Sequence, residues 1–530
     1  MRTKLMQVFK KEQPLGPDDA SKIPDELLHI VSTEIANLKT IIRRYPTYIF
    51  GRRGSGKTTY LHLASSSRKD SINVPIQLSE ALATLSQLLG SDDHESPTYV
   101  ENVALLWDFS IHLIICQFYS MHNPLDNDVK DFVAKYNDLL PTTHSGKHNN
   151  IVNEVLWHIV KKLQSADNNV WYSTIATLIS RTAGMSLHDC KKRVLRYLKN
   201  DNTRINHINV YIDSIEDYNY GNFVSITLLR GLLKFLGGYD EQRIHIAIAF
   251  PAEHKQLLTS ISSNPLKDFG RTEDIIWNVD DLIIMVANRL AIFLNLYYYD
   301  IYQIEYVSKN NIHDYSQALE LINQLFPENL INAKGHTEPT IKYIMRHTYL
   351  LPRHVIRIMN AIVRDLALDD SLTRYNKIKP DNIVKSLHKE EQYFVNEIIA
   401  AYNSLYPNIG RALALALPTL KSQFNIADLR KAYKKKAKRV CNRNMIIDEY
   451  DFLRLLYDMG VIGIAKRMQH SKKFIEANFY FTSHNEYNKL QDNDSLVLHP
   501  IFSSTYVSYN QNVSLPVYPY IPSFLSDMYR

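Results

Sequence analysis

Thr47-Tyr48-Ile49-Phe50-Gly51-Arg52-Arg53-Gly54-Ser55-Gly56-Lys57-Thr58-Thr59 is the stretch that decides the fold. A β-branched and aromatic run feeds a loop of the form G-x-x-x-x-G-K-[ST]. Thr58-Thr59-Tyr60-Leu61-His62-Leu63-Ala64 then opens a helix. Strand, glycine loop and helix in this order are the context that a phosphate-binding loop requires. Gly51, Gly54, Ser55 and Gly56 let backbone N–H groups curl around phosphate oxygens, and the helix N-terminus adds a favourable dipole. Lys57 is placed to reach the β- and γ-phosphates, the Thr58 hydroxyl to ligate Mg²⁺, and Thr59 to continue the cradle. A chance match is disfavoured because the chain has only 16 glycines in all and spends Gly51, Gly54 and Gly56 here. The stretch predicts a nucleoside triphosphate site.

The length of 530 residues predicts two to four domains, and 45% hydrophobic residues can fill their cores. The net charge of +6 matters only where it is concentrated. Cys116, Cys190 and Cys441 are isolated in sequence, which disfavours a disulfide scaffold or zinc site and fits a reducing compartment. The N-terminal residues lack the apolar core of a signal peptide. The most apolar run, Val103 to Tyr119, contains Asp108, His112 and Gln117, which predicts a buried helix rather than a membrane span. The expectation is a soluble, cytoplasmic protein with no membrane partner.

Around the loop, Leu27, Leu28, Ile30, Val31, Ile35 and Leu38 recur at helical spacing, predicting an amphipathic helix beside the nucleotide sheet. Ile72 to Leu78 is a second strand whose Pro75 suits an edge. Residues 79–206 read as a helical insertion, with helices over 101–119, 150–165 and 187–198. A third strand, His207 to Ile212, delivers Asp213 at its carboxyl end, where a P-loop enzyme needs a Mg²⁺ partner. Ser214-Ile215-Glu216-Asp217 follows, so either Glu216 or Asp217 could orient or deprotonate the attacking water. Ile244 to Phe250 is a fourth strand, and Asp274 to Asn278 a short last one before a helix over 280–296. Continuous apolar strands of this kind suit a parallel sheet buried on both faces. Arg289 in that helix faces either nucleotide or solvent.

Further on, Leu351-Pro352-Arg353 starts a helix. It reads either as an ordinary proline-initiated helix or as one whose Arg353 senses phosphate charge. Residues 413–424, 426–440 and 449–460 read as three helices, and 461–464 and 474–481 as a two-stranded wing. This predicts a winged helix-turn-helix. Lys434, Lys435, Lys438 and Arg439 lie on its second helix, whose basic excess is either a double-stranded DNA footprint, a solvated face or a dock for an acidic protein. The Tyr- and Pro-rich tail from Leu496 on should pack as extended arms.

P-loop, Asp-Ser-Ile-Glu-Asp strand end, helices with a Pro-Arg pair and winged helix together resemble prokaryotic P-loop ATPases of the STAND and origin-recognition-like AAA+ group. The acidic spacing at 213–217 is closer to the STAND pattern, since AAA+ proteins place Glu where this chain has Ser214. The fourth strand also ends Ala249-Phe250-Pro251, without the polar sensor usual in AAA+ enzymes. The resemblance implies a Mg²⁺-dependent ATPase and makes Arg353 the lid's sensor arginine. It further implies a homo-oligomer whose ATP state gates an effector protein in trans, as in anti-phage systems.

The expected architecture is an α/β P-loop core with a parallel sheet, a large helical insertion, a helical lid and a C-terminal winged helix. Its expected segments are 1–78 and 207–285 for the core, 79–206 for the insertion, 286–410 for the lid, 411–485 for the winged helix and 486–530 for the tail. Lys57, Glu216, Asp217 and Arg353 are the catalytic candidates. The remaining readings are a DNA-binding initiator or regulator, and a scaffold that holds ATP without turning it over.

Overall fold

A computed structural model describes residues 1–31, 43–66, 70–77, 97–136, 185–200, 205–213, 223–262, 264–304, 312–372, 377–403, 405–444, 448–466, 473–482, 490–507, 515–521, 525 and 528. The chain divides into two compact units, Ala36–Ile275 and a second made of Met1–Ile35 with Ile276–Arg530.

The first unit is built on five strands: β1 (Tyr48–Gly51), β2 (Ser71–Gln77), β3 (His207–Asp213), β4 (Ile244–Pro251) and β5 (Thr272–Asp274). They pair in the order β2-β3-β4-β1-β5, all parallel. β1 is buried along its whole length, and so are the central five residues of β3. The apolar runs follow from this, because a parallel sheet has no solvent face on which to alternate polar residues. Pro75 lies on the edge strand β2, where its missing N–H costs no ladder bond. The helix α1 (Lys57–Ser66) leaves β1 through the glycine loop. With that loop and a fully parallel sheet, this unit is an α/β P-loop core.

Helices α2 (Pro97–His122), α3 (Leu187–Leu198) and α4 (Phe223–Gly238) are the longest of the others described in this unit. α2 packs closely on α4 at Gly231, where a Cβ would come within 2.4 Å of Val103 Cγ1. Trp107 Nε1 donates to Leu228 O at 3.1 Å across the same contact. Among the described residues, Val100–His122 is the one helix long and apolar enough to cross a membrane, and 83% of its most apolar window is buried inside the protein. The helix expected over 150–165 lies outside the described residues.

The second unit centres on α5 (Val279–Tyr297), whose residues are buried almost all round. Of the N-terminal helix expected beside the nucleotide sheet, the described part, Asp25–Val31, packs within this unit. Leu27, Leu28, Ile30 and Val31 of Asp25–Val31 cluster with Leu5, Val8 and Phe9 on Ile292 and Leu296 of α5. Arg289 meets neither of its two expected environments. It is buried, and its Nη1 donates to the carbonyls of Leu15 (2.8 Å) and Pro17 (3.1 Å). Burial lowers the Arg289 guanidinium to about 10. Asn360 grips the same turn, accepting from Leu15 N at 2.7 Å and donating to Gly16 O at 2.8 Å.

The hairpin of β6 (Asn329–Ile331) and β7 (Thr337–Pro339) leads to α6 (Thr340–Arg346), α7 (Pro352–Leu368) and α8 (Pro380–Asn403). Then come α9 (Ile409–Ala416), β8 (Gln423–Asn425), α10 (Ile426–Ala432), α11 (Glu449–Asp458), β9 (Ile462–Ala465) and β10 (Ile475–Asn478). Helices and an antiparallel hairpin of the winged-helix pattern are present, but the helix expected over 413–424 is Ile409–Ala416 and the end of that stretch is β8, and the wing is larger than two strands. β11 (Ser495–Leu498) inserts between β9 and β8, and β12 (Val517–Pro519) adds to β10, giving the order β12-β10-β9-β11-β8. The tail expected as extended arms is thus part of the sheet. Leu496, Val497, Leu498 and Tyr518 are buried, and their strands pair edges that a lone hairpin would leave open. Between β11 and β12 lies the helix α12 (Pro500–Tyr506). The α7 and winged-helix regions share one core: Tyr349 Oη donates to Gly460 O at 2.9 Å, and Tyr402 Oη to Asp458 O at 3.0 Å.

Candidate nucleotide site

The glycine loop closes tightly between β1 and α1. Gly54 and Gly56 hold φ of +82° and +91°, a left-handed backbone costly for other residues. Gly51 is required for space, since a Cβ there would lie 2.4 Å from Ser55 Oγ and 2.9 Å from Lys57 Cγ. Ser55 N donates to Arg52 O at 3.0 Å, making the turn, and Tyr60 N to Gly56 O at 2.9 Å as α1 begins. Lys57 is buried to 4% exposure, and its ammonium is held by the carbonyls of Gly51 (3.0 Å) and Arg52 (3.3 Å). An ammonium tethered at the lip of a glycine cradle is positioned for phosphate oxygens.

From β3, Asp213 reaches the same end of the sheet. Thr58 Oγ1 donates to Asp213 Oδ2 at 2.7 Å. β4 lies between β3 and β1, so parallel register across all three strands is what brings the two together. A hydroxyl and a carboxylate are hard oxygen donors of the kind Mg²⁺ selects. The loop and this donor pair fit a Mg²⁺–nucleoside triphosphate.

Sequence reasoning missed Glu253. It stands in the short turn Ala252–His254 directly after β4, and its Oε1 accepts from Arg53 N at 2.9 Å. The expectation that the end of this strand offers no polar group therefore stopped two residues short of Glu253. A carboxylate holding a loop amide is a charge-assisted bond, stronger than a neutral one. Only the position of Glu253 just past a P-loop-type strand could have signalled it.

Glu216 and Asp217 lie outside the described residues. Arg353 belongs to the other unit, at the start of α7, where its Nη1 donates to Glu397 Oε1 at 2.7 Å. His354 Nε2 lies 3.5 Å from Glu397 Oε2. Burial opposes ionisation of Glu397, but His354 and Arg353 outweigh it and hold the carboxyl down to about 2.

On the winged helix, α10 continues through a π turn, Tyr433–Ala437, into Lys438–Asn444. Tyr433 and Ala437 are buried while Lys434, Lys435 and Lys436 between them are exposed, as are Lys438 and Arg439. Single π turns often mark functional sites. Lys434 is partly neutralised by Glu449 at 2.9 Å, and Arg430 pairs with Glu449 and Asp492 at 3.1 Å each. No ion pair among the described residues involves Lys435, Lys438 or Arg439.

A cavity of about 110 Å³ lies in the second unit, lined by Lys334, Arg346, His347, His388, Glu391 and Ser504 among others. Two buried carboxylates organise its walls. Glu338 takes a bidentate pair from Arg346 (2.8 Å each) with Asn332 Nδ2 at 2.5 Å and the Tyr518 hydroxyl. Glu391 takes His347, His388 (3.0 Å) and Ser504 (2.7 Å). Both oxygens of each carboxylate are hydrogen-bonded, which is a condition for burying it.

No protein-family model matches this chain, and no curated protein is similar to it. Among solved structures, the chain is similar to the Aeropyrum pernix ORC2 protein in its ADPNP–ADP complexes. They share 11% identity and a TM-score of 0.39, over 90% of this chain and 96% of that one. It is also similar to Cdc6p from Pyrobaculum aerophilum, at 10% identity and a TM-score of 0.28, over 88% of this chain and 91% of that one. Scores this low establish neither family nor activity; the P-loop core stands on its sheet order and loop geometry.

Proposed function

We propose that this protein is a Mg²⁺-dependent ATPase of the AAA+ or STAND kind. In this reading its nucleotide state controls self-assembly and the engagement of a partner. The observation that carries the proposal is the 2.7 Å contact of Thr58 with Asp213 beneath a loop that only glycine can close. The amides of residues 54–58 bind the phosphates, Lys57 neutralises the β- and γ-oxygens, and Thr58 and Asp213 hold Mg²⁺. The metal, when bound, neutralises charge developing on the phosphates. Glu253 keeps the loop in its binding shape. Glu216, or Asp217 beside it, orients the attacking water and takes its proton. The defence or regulatory setting, the homo-oligomer and the effector in trans belong to this reading through the sequence resemblance alone.

Turnover of Mg-ATP by the wild type, Lys57→Ala and Glu216→Gln tests it. Loss in both variants supports an ATPase. Nucleotide retained by the wild type without turnover leaves a holding scaffold. An oligomer mass that is the same with and without ATP would remove the switch.

A second reading, a nucleic-acid-binding regulator, is favoured by the exposed Lys435, Lys438 and Arg439. It makes double-stranded DNA the partner and ATP a modulator.

A further inference from the structure

We propose that Cys116 and Cys190 form a thiol–disulfide site that closes into an intrachain cross-link. The two cysteines are 74 residues apart, which is why they read as isolated in the sequence. In the folded first unit their sulfurs are 3.0 Å apart, Cys116 on α2 facing Cys190 in the first turn of α3. Both are buried, at 1% and 0% exposure. An approach of about 1 Å separates this contact from a covalent sulfur–sulfur bond.

The two helices are clamped on both sides of the thiols. Lys191 donates to both carboxylate oxygens of Asp108 at 2.8 and 2.7 Å, two turns before Cys116. On the other side, the rings of Tyr119 on α2 and Tyr197 on α3 meet edge to face, while Arg193 ties α3 to the helix that follows α2, its Nε donating to Asp126 at 2.9 Å and its Nη1 meeting Asp128 at 2.7 Å. A Ser186–Asp189 capping box fixes the start of α3 one turn from Cys190. The sulfurs therefore face each other in a frame set by contacts that do not depend on them. Cys441 is in the other unit and is not part of this pair.

The chemistry is exchange with a small disulfide of the glutathione type. The Cys190 thiolate attacks one sulfur of the small disulfide, forming a mixed disulfide and releasing one small thiolate. The Cys116 thiolate then attacks the Cys190 sulfur, closing the cross-link and releasing the second. Two electrons pass from the protein to the small disulfide, and the two protons lost by the cysteines end on the two released thiols. Hydrogen bonding to Cys190, reinforced by burial, pushes the Cys116 thiol well above its ordinary value, which slows attack while the helices are closed. Exchange thus runs during folding or when α3 loosens. The closed bond is then shielded from reductant, and it ties α3 to α2 directly upstream of the strand that delivers Asp213.

The test is to unfold the full-length reduced chain in urea, refold it in a glutathione redox buffer, alkylate free thiols and map the peptides by mass. The expected result is a Cys116–Cys190 cross-linked peptide, loss of two hydrogens from the intact mass, and alkylated Cys441. Cys441→Ser should keep the cross-link and Cys190→Ser should lose it. Three alkylated cysteines in the refolded wild type, or a cross-link through Cys441, would overturn the proposal. The wild-type map decides it even if a variant folds poorly.

Discussion

The carboxylate of Glu253 accepts the backbone N–H of Arg53 at 2.9 Å, joining the turn after β4 to the glycine loop after β1. If Glu253 acts by holding the loop, Glu253→Gln keeps an acceptor and should bind Mg-ATP within about 3-fold of wild type. Glu253→Ala removes the acceptor and should weaken binding at least about 10-fold, a bond to a charged group being worth about 1.5–3 kcal/mol. Calorimetric titration of both variants checks this. Equal loss in both would assign the role to charge.

The Arg346–Glu338 pair is buried at 7% and 2% exposure and is shared with Tyr518. Removing one partner of such a pair strands the other, at a cost of about 3–5 kcal/mol. Arg346→Ala should therefore sharply lower the urea midpoint of the unit that contains it. Tyr518→Phe removes only a hydroxyl and should cost about 1.5–3 kcal/mol, the worth of a bond to a charged group. A neutral Tyr518→Phe would mean that this hydroxyl contributes little to the buried pair.

Acid should destabilise the same unit. Burial alone would raise the Glu391 carboxyl, but His347, His388 and Ser504 outweigh it and hold it down to about 2, and Glu397 is held at about 2 as well. Both folded values lie below the unfolded one of 4.5. The stability they contribute is present above pH 4.5 and is lost as pH falls from there toward 2. Burial also lowers the His347 imidazole, which acts in the same direction, its contribution being complete above 6.5. Urea midpoints measured from pH 7 to pH 3 should fall steeply below 4.5. Glu391→Gln, itself less stable at pH 7, should show a flatter profile.

For the second functional reading, duplex DNA affinity should fall with salt, log K against log [salt] having a slope of about −0.9 for each phosphate neutralised. Lys435→Glu with Lys438→Glu and Arg439→Glu should abolish binding at moderate salt. Unchanged affinity in this triple variant, measured by anisotropy, would remove the nucleic-acid reading. Lys434 is the weaker probe because Glu449 already pairs with it.

The nucleotide core was legible because its chemistry constrains local sequence. Gly51, Gly54 and Gly56 are dictated by space and by backbone angle, and Asp213 by its place at a strand end. What was not legible depends on distant pairing. β11 and β12 are four and three residues long, with no local period that ties them to β9 and β10. The helix Asp25–Val31 shows an apolar face but not which partner buries it, and here that partner is α5. Arg289 reads as a surface or site cation until Leu15 and Pro17 supply carbonyls for it. Glu253 follows no spacing rule, and the meeting of Cys116 with Cys190 depends on how α2 and α3 pack.

The most direct test of the central claim is the affinity for ATP, with Mg²⁺ and with EDTA, of the wild type, Lys57→Ala and Asp213→Asn. The wild type should bind ATP, and more tightly with Mg²⁺ than with EDTA. Lys57→Ala should lose at least about 30-fold in affinity, about 2 kcal/mol for a charged hydrogen bond. Asp213→Asn should bind as the wild type does in EDTA and gain little from Mg²⁺. Equal affinity in the wild type and Lys57→Ala, or wild-type binding indifferent to Mg²⁺, would contradict it.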